Sequence, residues 1–158
     1  MLPQQHIDQA NHNIEFLTSF YKAYKFNDWA ITVSFYESIH IVEAAICKSK
    51  KLKIAGVEVP DITDSNLLYR SIKNGKITPP ENFNNTIHNT RTLLVTENFE
   101  DISGYYEMLH NDATTARYKQ FMWDDNKCNL SIIALNGIIQ WANEKFGFKV
   151  ITTTTEKK

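Results

Sequence analysis

The sequence predicts an all-α protein, an up-and-down bundle of four to five helices in a single domain. Apolar residues recur at spacings of three and four along most of the chain, which is the period of an amphipathic helix. No alternating polar and apolar run is flanked by hairpin turns, so strands are not expected. With 158 residues, 42% apolar and 22% charged, the chain has the size and composition of one globular domain.

Two long helices are predicted in the N-terminal third. The first spans about residues 4–25 and carries an apolar stripe along one face. Asn27 and Asp28 offer capping side chains for the second, at about 29–48. Because this second helix is apolar nearly all round, we expect it to be the most buried helix of the bundle.

A long connection follows the second helix. Gly56 and Pro60 interrupt residues 49–61, which predicts a loop, and the apolar segment 57–59 is too short to predict a strand. A short helix is predicted from residue 63 or 64 to residue 73, ending at Asn74-Gly75. The bundle therefore carries a long loop with a short helix between its second and third main helices.

Three further helices complete the prediction. One begins within 82–86, and another spans about 99–110, with 113–121 either extending it or turning away. Asp124 or Asp125 caps the last helix, and Gly147 ends it. Residues 1–149 then form one domain, and the threonine-rich segment 150–158 is expected to be a flexible tail.

Charge and composition restrict the possible functions. The formal net charge is −1, which gives no support for a general electrostatic grip on nucleic acid or an anionic membrane, although a local basic patch stays open. No apolar stretch approaches the roughly 20 residues that cross a bilayer, so we expect a soluble, cytoplasmic protein with no membrane partner. Cys47 and Cys128 are then reduced thiols. No metal-ligand spacing or glycine-rich phosphate loop is found, so we expect neither metal nor cofactor.

The second helix carries the first candidate site. Tyr36, His40 and Glu43 are spaced four and three residues apart, so they project from one helix face. A carboxylate bonded to an imidazole raises the histidine's pKa and fixes its tautomer, as general acid–base catalysis requires. A buried histidine with a purely structural role is satisfied in the same way, and the sequence leaves both interpretations open.

Two further groups of residues are candidates for contacts with RNA. His88 and Arg91 lie near the start of a predicted helix, where backbone N–H groups and a guanidinium would hold a phosphate. Arg117, Tyr118 and Lys119 place two cations around an aromatic ring, which favours backbone contact and base stacking. Solvent-exposed side chains with no ligand are the alternative for both groups.

Taken together, these segments resemble the HEPN superfamily of small helical proteins from prokaryotic toxin, defence and RNA-processing systems. The resemblance covers about residues 13–118 and rests on three blocks. They are Asp28-Trp29-Ala30-Ile31-Thr32 continuing through Phe35-Tyr36 and His40 to Glu43-Ala44; His88 with Arg91 and Val95; and Tyr106, Leu109, Ala113 and Ala116-Arg117-Tyr118.

The resemblance implies a homodimeric bundle that acts on RNA, with a toxin- or defence-system protein as a possible partner. Active members cleave RNA without a metal, using an arginine followed four to six residues later by a histidine. Arg70, Arg91 and Arg117 have no histidine at that distance. A metal-independent endoribonuclease is therefore expected first. The alternatives are a non-catalytic binding module of the antitoxin or accessory type, which would bind RNA or a nucleotide, and a purely structural dimeric bundle. For the enzyme, the catalytic residues would be His88, Arg91, His40 and Glu43; the RNA-binding residues would be Arg117, Tyr118, Lys119 and Tyr36.

Overall fold

Six helices and one two-stranded hairpin make up the computed structural model, which describes residues 1–21, 26–118 and 123–153. The all-α class is confirmed, whereas the up-and-down topology and the likeness to HEPN bundles stay predictions. In chain order the elements are α1 (Pro3–Phe20), α2 (Asn27–Lys48), β1 (Leu52–Ile54), β2 (Val57–Val59), α3 (Ser65–Lys73), α4 (Ile87–Asn98), α5 (Glu100–Tyr118) and α6 (Asp125–Phe146).

Helix α2 is the centre of the core. It packs against α1, α5 and α6, and Phe35, Ile41 and Ala45 on it are fully buried. Within the described residues, α2 alone is long and apolar enough to cross a membrane, so the prediction that no such stretch exists was wrong. Because 78% of its most apolar window is buried inside the protein, α2 has the surroundings of a core helix.

The junction before α2 differs from the prediction. Asn27 and Asp28 are the first residues of the helix instead of caps preceding it, and Phe26 holds the N-cap position without a side-chain hydrogen bond. The Asn27 amide donates to the Trp123 carbonyl at 2.9 Å and to Asp125 at 3.1 Å, so it ties the starts of α2 and α6 together. Helix α1 ends at Phe20, and residues 22–25 of its predicted span lie outside the described residues.

A β-hairpin stands where an irregular loop was predicted. Strands β1 and β2 are antiparallel, with Leu52 opposite Val59, and the turn places Ala55 and Gly56 at φ of 50° and 76°. Both turn residues have positive φ, as a two-residue turn of type I′ requires, but only one of them is glycine. The Asn98 side chain accepts from the N–H of Lys53 at 2.7 Å and donates to its carbonyl at 3.0 Å, and thereby joins β1 to α4.

Capping residues fix the remaining helices largely as predicted. Asp64 accepts the Leu67 N–H at the start of α3, and Asp124 accepts the Lys127 N–H at the start of α6. Gly147 ends α6 with φ of 67°. Helix α5 continues through residue 118, so residues 113–118 extend it, and residues 119–121 of the predicted segment lie outside the described residues.

The first residues of the expected flexible tail are held against the bundle. The Asn143 side chain bonds both the carbonyl and the N–H of Val150, at 2.9 and 3.0 Å, and Asn136 does the same for Thr153. Asn11 on α1 accepts from the N–H of Ile151. These bonds tie residues 150–153 to α1 and α6, residues 154–158 lie outside the described residues, and the flexibility of the tail stays a prediction.

Candidate functional site

Two of the four candidate catalytic residues form a buried ion pair. Arg91 on α4 places its Nε 2.6 Å from Oε1 of Glu43 on α2, and the two side chains are 9% and 7% exposed. The other carboxylate oxygen of Glu43 accepts the N–H of Ser65 at 3.2 Å. Because Ser65 is the first residue of α3, the carboxylate also lies at the positive end of that helix dipole.

The surroundings keep both partners charged. Burial acts to raise the pKa of Glu43, but the Arg91 charge and the hydrogen bonds from Ser65 and Arg91 outweigh it and hold the pKa below its ordinary value. The fully buried Tyr106 on α5 adjoins the pair, and burial raises the pKa of its hydroxyl. A neutral phenol, a carboxylate and a guanidinium thus share one enclosed polar cluster within the helical core.

The third candidate, His40, is directed toward α1. Its Nδ1 lies 3.2 Å from Nδ1 of His6, and the ring centroids are 5.5 Å apart. One imidazole must donate and the other accept across this contact, so at least one ring is neutral there. The expected hydrogen bond between His40 and Glu43 is replaced by this histidine pair, and Glu43 bonds Arg91 and Ser65 instead.

The predicted rise in the pKa of His40 was wrong in direction. Burial lowers the pKa of His40, and the neighbouring His6 and Arg91 lower it further, while Glu43 opposes them. Burial likewise lowers the pKa of His6. Desolvation disfavours the charged imidazole more strongly than the nearby carboxylate favours it, because that carboxylate is already neutralised by Arg91.

The fourth candidate, His88, belongs to a ring cluster on another side of α2. Its centroid lies 5.6 Å from that of His110 on α5, with 27° between the ring planes. Phe35 of α2 contacts both rings, at 5.9 Å from His88 and 5.2 Å from His110. The Thr92 hydroxyl lies 3.4 Å from Nδ1 of His110. His88 is thus half-buried between α2, α4 and α5 and does not stand alone at a helix start.

Helical geometry separates these groups around α2. Phe35 and His40 are five positions apart, so their side chains point about 140° apart around the helix axis. Glu43 projects between those two directions. The four candidate residues therefore comprise a buried ion pair in the middle and two histidines in separate clusters, His40 toward α1 and His88 toward α4 and α5.

An open groove adjoins the second histidine cluster. It has a volume of about 510 Å³ and lies between the loop 80–84 and helices α4 and α5. His110 and Thr92 reach its wall, together with two carboxylates, several amides and three apolar side chains. Its other lining residues are Pro80, Glu81, Asn82, Phe83, Asn84, Asn89, Leu93, Thr96, Glu107 and Asn111.

The candidate RNA-binding residues are only partly described. Tyr36 is 41% exposed on α2, with its ring 6.2 Å from that of Phe35. Arg117 and Tyr118 form the last turn of α5, but their side chains are outside the described part of the structure, as is all of Lys119. Their role in RNA binding stays a prediction.

Three residues of these clusters were not predicted. His6, Ser65 and His110 contact the candidate residues from α1, α3 and α5. His6 lies 34 residues from His40 in the chain, so no helical spacing relates them. The signal available for His110 was its position one turn after Tyr106, on the same face of α5.

Comparison of the chain with family models, with curated proteins and with solved structures gave no match.

Proposed function

We propose that this chain is a non-catalytic, HEPN-like interaction module of the antitoxin or accessory-subunit type, and that its partner is a protein. The observation that carries the proposal is the 2.6 Å contact between Arg91 Nε and Glu43 Oε1 inside the core. A residue that stabilises a pentacoordinate phosphorane must reach the substrate phosphate with its charge available. Arg91 is 9% exposed and already neutralised, so it meets neither condition.

The charge of the groove also favours a partner other than RNA. Glu81 and Glu107 line it, and its described lining includes no lysine or arginine. Carboxylates repel a phosphate backbone, whose binding depends on neutralisation by cations. The groove beside His110 is therefore unfavourable for a polyanion.

An exposed aromatic surface supports a protein partner. Phe16, Phe26 and Trp29 are 56%, 53% and 59% exposed, and together with Phe20 and Val33 they line a nearly wholly apolar depression of about 450 Å³. Aromatic residues are enriched at protein interfaces, and clustered apolar exposure marks such sites. We assign this surface to a second copy of the chain, in line with the homodimer implied by the resemblance, and we propose a cytoplasmic location.

A second candidate function rests on the stacked histidines. Two imidazoles with centroids 5.6 Å apart, next to an open groove, are the components of a metal-independent endoribonuclease. One ring would take the proton from a 2′-hydroxyl, and the other would protonate the leaving oxygen. In this alternative His88 and His110 carry the reaction, and the Arg91–Glu43 pair only joins α4 to α2.

One assay separates the two functions. Wild type, His88→Ala and His110→Ala are incubated with total RNA and labelled tRNA in EDTA, with the exposed His12→Ala as a matched control. We expect no cleavage above background by any of them. Cleavage by wild type and His12→Ala that is lost in both other variants, with unchanged melting temperatures, would establish the endoribonuclease and overturn the proposal.

The homodimer has its own test. Light scattering of wild type should give twice the chain mass, and Trp29→Glu should give a monomer because it places a charge in the aromatic surface. Val57→Glu, at a 67% exposed position in the hairpin, is the control and should stay dimeric. A monomeric wild type, or a Trp29→Glu protein that stays dimeric, would contradict the assignment of this surface.

A further inference from the structure

The groove beside His110 has the chemistry of a cation site with flat walls. We propose that it binds the guanidinium group of an arginine side chain presented by the partner. That the arginine belongs to a protein partner rests on the proposed interaction function.

Two carboxylates give the groove a negative charge. Glu81 and Glu107 are exposed, and neither forms an ion pair with a described residue. Since the described lining of the groove contains no lysine or arginine, these two carboxylates set its sign. A cation entering the groove is attracted by both, and the attraction falls as salt is added.

Shape and hydrogen-bonding capacity select the kind of cation. The partly buried rings of Phe83 and His110 and the side chain of Leu93 provide apolar surface in the groove. Amide oxygens of Asn82, Asn84 and Asn111 can accept hydrogen bonds alongside the carboxylates. A guanidinium is planar, weakly hydrated and carries five donors, so it can stack on a ring while bonding several oxygens; an ammonium has three donors and no flat face.

The groove wall is held in place before any ligand enters. The Asn89 side chain donates to the Asn84 carbonyl at 2.9 Å, and Asn85 donates to the Tyr69 carbonyl at 3.3 Å. Asn82 has φ of 60°, a left-handed conformation that asparagine tolerates better than most residues. A preformed wall lowers the ordering cost of binding, and about 510 Å³ accommodates the end of an arginine side chain.

The test compares an arginine side chain with citrulline, which has the same shape and no charge, and with lysine, which has the charge and a different shape. Calorimetry measures the binding of a hexapeptide that contains arginine and of the same peptide with citrulline or lysine at that position. N-acetyl-arginine amide is measured as the small-molecule ligand. We expect the arginine peptide to bind at least tenfold more tightly than the citrulline peptide and more tightly than the lysine peptide, with affinity decreasing as salt rises. Binding of the amide alone would identify a small guanidinium compound as sufficient, and a requirement for the peptide would identify a protein segment; either result supports the guanidinium site.

Matched variants locate the site. Glu107→Gln and Glu81→Gln keep the side-chain shape and an acceptor oxygen but remove the negative charge, so each should weaken arginine binding about tenfold. Glu97→Gln, at an exposed position of α4 outside the groove lining, should leave affinity unchanged.

Equal binding of the arginine and citrulline peptides, absence of binding at millimolar ligand, or equal losses in Glu97→Gln and Glu107→Gln would each overturn the inference. RNA cleavage would overturn the proposed function but would leave the arginine measurement standing.

Discussion

The guanidinium of Arg91 and the carboxylate of Glu43 meet at 2.6 Å in the interior of the bundle, and the same carboxylate accepts the backbone N–H of Ser65. One side chain on α2 therefore holds the start of α3 and the middle of α4. A buried pair of this kind is maintained by mutual neutralisation, and removal of either partner leaves an uncompensated charge. We attribute the occurrence of Glu43 and Arg91 in the chain to this connection between helices.

The histidine pair between α1 and α2 predicts a loss of stability in mild acid. Burial lowers the pKa of both His6 and His40 below the ordinary value of about 6.5. At these two residues the unfolded chain then binds more protons than the folded one as the pH falls below 6.5, so the contribution of the pair to the free energy of unfolding decreases there. In urea titrations the His6→Gln/His40→Gln double variant should therefore gain stability relative to wild type between pH 7 and pH 5.

The matched control for that prediction is His12→Gln. His12 is exposed on the same helix, α1, so the variant should follow the wild-type pH dependence. Protonation of Glu43 affects the free energy of unfolding below this pH window, because the pKa of Glu43 lies below its ordinary value. Parallel curves for wild type and the double variant would show that the histidine pair does not titrate with unfolding.

The buried carboxyl group of Glu37 predicts a loss of stability as the pH rises. It is fully buried on α2, neither of its oxygens has a hydrogen-bond partner among the described residues, and burial raises its pKa to about 9. Between pH 4.5 and 9 the folded state retains a proton that the unfolded chain releases, so stability falls as pH rises. Glu37→Gln removes this proton, and its stability relative to wild type should increase by about 3 kcal/mol between pH 5 and pH 8.

Glu15→Gln is the control, since Glu15 is exposed on α1. Its stability difference from wild type should be the same at both pH values. A Glu37→Gln difference that also stays constant from pH 5 to pH 8 would mean that Glu37 is charged in the folded protein.

The elements predicted most accurately from sequence are those with local signals. Asp64 and Asp124 are caps that determine helix starts within a few residues, and Gly147 ends α6 by adopting a conformation that other residues rarely adopt. The hairpin was missed because its strands have three residues each and Ala55 occupies a positive-φ position. Pairing of β1 and β2 and the Asn98 bonds to Lys53 override the weak local preference.

The contacts that the candidate residues make were not predicted from the sequence. Helical spacing placed His40 and Glu43 on one face, and they do lie within one turn of α2. Their partners, His6 and Arg91, come from elements 34 and 48 residues away in the chain. Such contacts depend on how α1 and α4 pack against α2, which periodicity within one helix does not specify.

Replacing each of two helical glycines, Gly104 on α5 and Gly137 on α6, by alanine tests how closely α5 and α6 pack. A Cβ added at Gly137 would lie 2.6 Å from Cε2 of Tyr105, whereas one added at Gly104 would meet no atom within 4 Å. Replacing a helical glycine by alanine gains about 1 kcal/mol in propensity. We therefore expect Gly104→Ala to raise the melting temperature and Gly137→Ala to lower it or leave it unchanged, as measured by thermal unfolding. A gain of the same size in both variants would contradict close packing of Tyr105 on α6.

A double-mutant cycle across Glu43 and Arg91 tests whether the buried ion pair connects α2 and α4 structurally. The free energies of unfolding of wild type, Glu43→Leu, Arg91→Met and the double variant are measured in urea at pH 7. If the pair is a structural connection, each single variant should lose about 3–5 kcal/mol and the double variant should be more stable than either, with a coupling of at least about 2 kcal/mol. If each single variant loses less than about 1 kcal/mol, and the double variant loses the sum of the two within about 0.5 kcal/mol, the pair is not a structural connection. Arg91 would then be available for contact with a substrate.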